Sequence, residues 1–334
     1  MQPAPQIIPI SDPSHVGDAR RRAVQFAEQS GLTGDVLANV ALIVNELSTN
    51  LVKHARDGRL LLQADCAGVL EVLSLDKGPG MRDVERCLED GFSTAGSRGM
   101  GLSAIRRLAA QWDIYSLPDV GTVQLARLGT AKGLEAATLK TAARSRVRGV
   151  SIPYPGETVC GDAWSARTTP TGLTVVVADG LGHGASAHAA ASEALRVFHS
   201  LEDAGPARLL TEMHQALRAT RGAAVSVAAI DLERRSVTYA GVGNIAGFVA
   251  TPGGQQRMVS INGTLGAAAA KPREFSYELP RGAMVVLYSD GLLSQTGTAA
   301  YPGLIEHDPA LAAAVLYRDF TRGKDDATVV AAAS

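Results

Sequence analysis

The helical stretch NELSTNLVKHA contains residue types that could bind a phosphate and move a proton. Glu46 and Asn50 are four residues apart, so both side chains lie on one face of a helix. An Asn amide oxygen can coordinate Mg²⁺ beside phosphate oxygens and water, and a neighbouring carboxylate can orient or deprotonate an attacking hydroxyl. The same spacing also fits an ordinary helix with a polar face, so the pattern needs support from elsewhere in the chain.

Two later segments give this support. Asp76 ends the apolar run VLEVLSLD, and a buried carboxylate there could accept a hydrogen bond from the exocyclic amino group of adenine. Gly78 and Gly80 follow, and glycines let the backbone approach a ring where a Cβ would clash. The stretch GFSTAGSRGMGLSAIRRL then places Gly99 and Gly101 directly before a helix, whose free N–H groups can bind phosphate.

These segments, together with Thr122 in DVGTVQL, resemble the N box and glycine boxes of the GHKL ATPases over residues 8–128. The string DGFSTAGSRGMGL followed by AIRRL resembles the RsbT-like switch kinases, which phosphorylate a serine of STAS-domain antagonist proteins. The resemblance implies ATP and Mg²⁺ as cofactors, with Glu46 as catalytic base, Asn50 as Mg²⁺ ligand and Asp76 as adenine contact. It also implies further nucleotide contacts at Gly78, Gly80, Gly99, Gly101 and Thr122.

Several polar residues near these boxes have two interpretations. Sensor histidine kinases share the boxes, but they need a phospho-accepting His on an upstream helical hairpin, and His15 fits a solvated position at a helix start. Lys53, His54 and Arg98 could contact phosphate or a protein substrate, or they could lie on the solvated surface. Lys77 stands where the family often has Asn, so the contact at that position is not carried over.

Four aspartates in the second half of the chain border apolar strands: Asp162, Asp179, Asp290 and Asp325. An isolated Asp at a strand end is typical of a turn or a helix cap. If the four strands share one sandwich, however, the acids converge at one edge, where they repel unless divalent cations neutralise them. Oxygen-only ligation favours Mg²⁺ or Mn²⁺ over zinc, and two such ions can activate a water molecule.

The strings PGETVCGDAW, VVADGLGHG, LYSDGL and KDDATVV, in this order, resemble the SpoIIE-type branch of the metal-dependent PPM phosphatases over residues 143–332. The resemblance implies a Ser/Thr phosphatase that uses two Mn²⁺ or Mg²⁺ ions. Asp179 would bridge both ions, and Gly180 would contribute its backbone carbonyl. The other ligands implied are Asp162, Asp290 and Asp325.

The second motif set departs from relatives at several positions. Asp326 stands where they often carry Asn, which favours a role outside the ligand set. His183 could donate a proton to the leaving serine oxygen, although the extra residue in DGLGHG shifts it relative to the DGH of eukaryotic members. The arginine with which those members grip phosphate has no match in PYPGETVCGD. Asn244, in GVGNIAG, is predicted to form a structural turn.

The order of elements predicts two folds. Helical patterns at 18–30 and 36–55 precede strand candidates LLLQAD and VLEVLSLD, and a helix at 103–110 precedes the strands WDIYSL and TVQLARL. Later strands are VRGVSIPY, LTVVVAD, VSVAAIDL, SVTYAGV, IAGFVA and MVVLYSD, with helices at 188–199 and 206–219. The fold class is therefore α+β: an N-terminal GHKL (Bergerat) α/β sandwich followed by a PPM-type α-β-β-α sandwich. The predicted boundaries are 8–128, a linker at 129–142, and 143–332.

Composition narrows the expected location and partners. The 334 residues carry a net charge of −1, from 32 basic and 33 acidic side chains, so no broad field favours nucleic acid or anionic lipid. Cys66, Cys87 and Cys160 form no CxxC pair, which fits a reducing compartment. No signal peptide and no membrane-spanning run is found, so a cytoplasmic protein is expected.

Two hypotheses follow for the whole chain. In the first, the N-terminal part phosphorylates Ser or Thr of a STAS-domain antagonist or stressosome protein, and the C-terminal part dephosphorylates the same or a related protein. In the second, the N-terminal part is an ATP-gated binding module that sequesters a sigma factor or a STAS partner, or activates a downstream phosphatase, without phosphotransfer. ATP binding that only regulates the C-terminal phosphatase is a further variant.

Overall fold

The computed structural model describes residues 3–65, 68–88, 101–130, 134, 146–267 and 271–334. The chain divides into two compact units, Met1–Lys140 and Thr141–Ser334. The boundaries inferred from the motifs (8–128, 129–142 and 143–332) stay predictions.

The first unit has one antiparallel five-stranded sheet, in the order β1-β2-β3-β5-β4. Its strands are β1 (Gln6–Pro9), β2 (Arg59–Ala64), β3 (Val69–Leu75), β4 (Gln111–Leu117) and β5 (Gly121–Gly129). The described helices are α1 (Pro13–Gln29), α2 (Asp35–His54), α3 (Val84–Leu88) and α4 (Gly101–Leu108).

Helices α1, α2 and α4 cover one face of this sheet. Helix α2 buries residues at helical spacing against it: Val40, Ile43, Val44, Leu47 and Leu51. Alternate residues of the strands supply the opposing side of the core, including Leu60, Leu62, Leu70 and Val72. This packing fixes the orientation of the polar stripe of α2 that carries Glu46 and Asn50.

Two N-terminal elements differ from the sequence prediction. Helix α1 begins at Pro13 rather than 18, because the Asp12 carboxylate accepts a hydrogen bond from the Ser14 N–H at 2.8 Å and Pro13 fits the first helical turn. Strand β1 was not predicted. It is four residues long and is formed by pairing with β2, a contact that local sequence does not reveal.

The second unit has two five-stranded sheets, in the orders β13-β10-β9-β8-β7 and β12-β11-β14-β15-β6. The strands are β6 (Val147–Ile152), β7 (Asp162–Thr169), β8 (Gly172–Gly180), β9 (Ala223–Asp231), β10 (Ser236–Val242), β11 (Ala246–Thr251), β12 (Gly254–Arg257), β13 (Phe275–Glu278), β14 (Met284–Tyr288) and β15 (Ala327–Ala333). The helices are α5 (Ala185–Ser200), α6 (Pro206–Ala216) and α7 (Pro309–Phe320), with 3₁₀ turns at Leu217–Ala219 and Leu304–Glu306.

These elements form the predicted α-β-β-α layers. The two sheets enclose one apolar core, and α5 and α6 cover the outer face of the sheet that contains β8 and β9. Helix α7 packs on β6 and β15 of the other sheet. Among the described residues, no helix is long and apolar enough to cross a lipid bilayer.

Helix α7 was missed by the sequence analysis. Its string PALAAAVLYRDF has no polar face, and all ten residues from Pro309 to Arg318 are buried, so it lacks the periodicity of an amphipathic helix. Strands β7, β12 and β13 were also missed, because each has partly exposed and polar positions. Helix α5 begins three residues before the predicted start at 188.

Candidate nucleotide and acid sites

The start of α4 lies directly beside the polar stripe of α2. A Cβ added to Gly101 would be 2.9 Å from Glu46 Oε2 and 3.9 Å from both polar side-chain atoms of Asn50. All three residues are half-buried. The structure therefore brings together an acid, an amide and the N-terminus of a helix, which suits a phosphate group and its cation.

Asp76 lies at the end of β3, where the chain turns into the predicted glycine loop. Its Oδ1 accepts a hydrogen bond from the Gly78 N–H at 2.7 Å, and its own N–H donates to the Thr122 carbonyl at 3.0 Å. A Cβ on Gly78 would be 2.6 Å from the His54 carbonyl oxygen. The loop is thus held against the end of α2, which explains the glycine at this position.

The loop also contacts the β4–β5 hairpin. Gly80 has φ +65°, and a side chain there would overlap the Leu117 carbonyl. The Ser116 and Thr122 hydroxyls are 2.8 Å apart, and Ser116 Oγ accepts from the Met81 N–H at 2.8 Å. Ser116, which the sequence analysis did not select, therefore connects Thr122 to the loop. Gly99, another predicted nucleotide contact, lies outside the described residues.

Two buried polar side chains near this region were also missed. Gln124 follows Thr122 on the same face of β5 and pairs in register with Ser74. The Gln124 Oε1 and Ser48 Oγ atoms are buried and have no hydrogen-bond partner within the described residues. Both residues could have been selected from the sequence, because each is a polar residue within an otherwise apolar strand or helix.

Three of the four predicted aspartates of the second unit line one cleft of about 420 Å³. Asp162 in β7 pairs in register with Asp179 in β8, and Asp179, Asp290 and Asp325 line the cleft. The adjacent ends of four strands position these acids, because β7 pairs with β8 in one sheet and β14 with β15 in the other. Three of the four acids therefore share this cleft, and their role as metal ligands stays a prediction.

Hydrogen bonds orient two of these acids. Ser289 Oγ donates to Asp162 Oδ2 at 2.6 Å and accepts from the Thr328 N–H at 3.0 Å. Asn244 Nδ2 donates to Asp290 Oδ2 at 2.7 Å. Asn244, which was predicted to be a structural turn residue, therefore also orients an acid of the cleft. Ser289 was missed, although it directly precedes Asp290 in LYSDGL.

Burial makes ionisation of these acids costly. Burial, followed by the repulsion of neighbouring carboxylates, raises the pKa of Asp179 to about 9. Burial also raises the pKa of Asp162 to about 7, although hydrogen bonds from Ser289 and Thr328 oppose the change. The pKa of Asp325 is raised as well, mainly by burial. A nearby cation would remove this cost.

The acids fit divalent cations by their chemistry. Asp326 Oδ1 accepts from the Tyr154 N–H at 2.8 Å, whereas its Oδ2 is buried without a partner in the described part of the chain. Within those residues, no three His, Cys, Asp or Glu side chains are gathered closely enough to form a ready-made metal site. Carboxylate oxygens are the ligands that Mg²⁺ and Mn²⁺ prefer.

Gly180 lies where β8 meets helix α5. Its N–H donates to the Gly161 carbonyl at 3.2 Å, and a Cβ on Gly180 would overlap the Ala187 carbonyl oxygen. Only glycine lets β8 pack this closely against α5. Packing therefore requires a glycine at position 180, in addition to its predicted role as a backbone ligand.

His183 contacts two side chains of the segment that precedes β7. Its Nδ1 is 2.7 Å from Glu157 Oε1, and its ring stacks on Tyr154 with centroids 4.4 Å apart. Glu157 and Tyr154 were not selected from the sequence, although both lie in the string PYPGETVCGD before Asp162.

Comparison with known proteins matches both halves of the chain. Residues 10–127 match the family model of the histidine kinase-like ATPase domain, and residues 169–333 match that of stage II sporulation protein E (SpoIIE). The serine/threonine-protein kinase RsbT of Bacillus subtilis (strain 168) is 31% identical over 107 residues, which are 31% of this chain and 80% of RsbT. The chain belongs to the RsbT family through its histidine kinase-like ATPase domain. The predicted resemblances are therefore confirmed.

The phosphatase half has its own relatives. The phosphoserine phosphatase RsbX of Bacillus subtilis (strain 168) is 27% identical over 138 residues, which are 41% of this chain and 69% of RsbX. A solved structure described as "The bacterial stressosome: a modular system that has been adapted to control secondary messenger signaling" matches with a TM-score of 0.52 and 25% identity. The matched region covers 56% of this chain and 98% of the chain in that structure. The chain thus carries a kinase-like domain similar to RsbT and a PPM-type phosphatase domain.

Proposed function

We propose that this chain is a two-activity signalling enzyme that phosphorylates Ser or Thr of a STAS-domain protein with ATP and dephosphorylates the same or a related phosphoprotein. One observation carries the proposal: a single chain holds both the Glu46–Asn50–Gly101 cluster and the carboxylate cleft. The relatives RsbT and RsbX, a kinase and a phosphatase by name, support one activity for each half. The setting would be a partner-switching or stressosome-type pathway.

The kinase half would bind ATP between α2, the loop after β3 and the start of α4. Glu46 would orient or deprotonate the attacking hydroxyl, Asn50 would hold Mg²⁺, and Asp76 would contact adenine. The proximity of Gly101 to Glu46 and Asn50 supports this assignment, because it places the N-terminus of α4 beside both polar side chains. The glycines of both loops and Thr122 would complete the nucleotide site.

The phosphatase half would hold two Mg²⁺ or Mn²⁺ ions with Asp162, Asp179, Asp290, Asp325 and the Gly180 carbonyl. When bound, the ions supply Lewis-acid stabilisation of the phosphoryl charge. Asp179 would act as the shared ligand. Ser289 and Asn244 would hold Asp162 and Asp290 in position through the hydrogen bonds described above.

The test is to assay both steps on one STAS-domain protein. With Mg²⁺ and γ-labelled ATP, wild-type protein should label a serine or threonine of that protein, and Glu46→Ala should abolish labelling. The phosphoprotein is then purified away from ATP. Wild-type protein with Mn²⁺ should remove its phosphate, whereas the Asp179→Asn variant should not. Glu28→Ala and Asp203→Asn, which change exposed acids of the respective units, serve as matched controls.

Two outcomes would contradict the proposal. If ATP binds and the partner is captured without any label, the N-terminal half is a nucleotide-gated binding module for a STAS protein or a sigma factor. If the phosphoprotein keeps its phosphate with every divalent ion tested, the cleft is not a phosphatase site.

A further inference from the structure

The carboxylate cleft has a second wall that contains no acid. Asn262, Gly263 and Thr264 form this part of the lining, in the same cleft as Asp179 and Asp325. Asn262 is exposed and Thr264 is half-buried. Within the described residues, neither side chain has a hydrogen-bond partner, so an amide and a hydroxyl remain available in a cleft whose proposed chemistry does not use them.

The loop that carries this wall, residues 261–266, is held in place from both sides. Ala223 and Leu265 exchange two backbone hydrogen bonds, of 3.1 and 2.9 Å. The Gly266 N–H donates to Nδ1 of His214 in α6 at 3.1 Å. The polar groups are therefore presented by a preorganised segment, and binding to them costs little conformational entropy.

The cleft rim near Gly182 carries an arginine. A Cβ on Gly182, which lines the cleft, would be 3.3 Å from a terminal nitrogen of Arg221. Arg221 is exposed and forms no ion pair with any described residue. Beside it, Leu181 is 47% exposed, and its N–H donates to the Gly222 carbonyl at 3.0 Å. The rim thus combines a positive charge with an apolar surface.

These features suit an extended phosphoserine segment rather than a small phosphate ester. A side-chain amide can donate to and accept from a peptide backbone, and a hydroxyl can do the same. A guanidinium favours a dianionic phosphoryl group. A phosphopeptide carries backbone hydrogen-bonding groups beside its phosphoserine, whereas small esters lack a backbone.

We propose that Asn262 and Thr264 form a subsite for the backbone of the substrate segment flanking the phosphorylated serine, with Arg221 at the rim attracting its phosphoryl group. This inference rests on the proposed phosphatase function. It makes the enzyme selective for phosphorylated polypeptide independently of the flanking side chains.

The test compares two substrates with Mn²⁺: an alanine-flanked phosphoserine peptide and para-nitrophenyl phosphate. The double variant Asn262→Ala, Thr264→Val should lower kcat/KM for the peptide about tenfold or more, since about one to two hydrogen bonds are lost, and leave kcat/KM for the small ester unchanged. Valine keeps the shape of threonine, including the methyl group that faces Gly222. Arg221→Gln should lower kcat/KM for both substrates.

Gln256→Ala, at an exposed position of β12 away from the cleft, is the matched control and should change neither rate. Asn262→Ala alone, at an exposed position, keeps the test valid if the double variant does not fold. If the double variant lowers kcat/KM equally for both substrates, or does not lower it for the peptide, the inference is overturned while the phosphatase function stands. If wild type hydrolyses neither substrate, the phosphatase function falls and this inference falls with it.

Discussion

Asp179 couples the acid cleft to the stability of the second unit. Its pKa of about 9 reflects first burial and then the repulsion of the neighbouring acids. A carboxyl of an unfolded chain titrates near pH 4, so the folded state retains a proton that the unfolded state releases. Without divalent ions, the stabilising effect of this proton is complete below about pH 4 and is lost as pH rises towards 9.

Asp179→Asn should remove this pH-dependent loss. In chelator at pH 9, we expect the variant to unfold roughly 4–8 °C above wild type, because relief of about 2 kcal/mol shifts Tm by that amount in a unit of this size. Scanning calorimetry between pH 5 and pH 9 measures the effect, with Asp203→Asn as the control. A wild-type Tm that rises over this interval would contradict the assignment.

Gly101 determines how much space remains in front of Glu46 and Asn50. Gly101→Ala should weaken ATP binding and phosphotransfer at least about tenfold, since the new Cβ would be 2.9 Å from Glu46 Oε2. Stability should not fall, because Ala favours a helix over Gly. Gly17→Ala in α1 is the control, because the nearest atom to its new Cβ would be 3.7 Å away and no contact is obstructed. Unaltered nucleotide affinity in a fluorescence titration would show that phosphate does not bind there.

At the scale of elements, the contact between β8 and α5 positions the acid cleft. Gly180→Ala should destabilise the second unit by about 2–4 kcal/mol, because its Cβ would overlap the Ala187 carbonyl and separate strand from helix. Denaturant unfolding measures the loss, and labelling by the first unit should persist. Gly253→Ala, with its nearest atom at 3.8 Å, is the control. A variant as stable as wild type would show that the two elements adjust freely.

Elements with strong internal patterns were predictable from the sequence, whereas those defined by their neighbours were not. Helix α2 has apolar residues at helical spacing along twenty residues, so its limits were predicted within one residue. Strand β1 depends on pairing with β2, and α7 has no polar face, so neither has a local signal. The same distinction holds within the site. The acids stand in recognisable strings, but Ser289 and Ser116 gain their roles only through contacts across the fold.

For the whole molecule, the proposed function places opposing activities on one chain. In related systems a kinase such as RsbT and a phosphatase such as RsbX are named as separate proteins. A chain that contains both would set a steady-state level of partner phosphorylation by the ratio of two rates. That level would depend on the concentrations of ATP and of divalent ions.

Intact-mass spectrometry of a STAS-domain partner, followed over time with excess ATP, Mg²⁺ and Mn²⁺, measures whether both activities act on the same protein. Wild type should bring the partner to an intermediate phosphorylated fraction that stays constant while ATP turns over. Asp179→Asn should drive the fraction towards completion, and Glu46→Ala should leave the partner unmodified. If wild type and Asp179→Asn reach the same complete phosphorylation at the same rate, the chain does not remove what it adds, and the two-activity account is wrong.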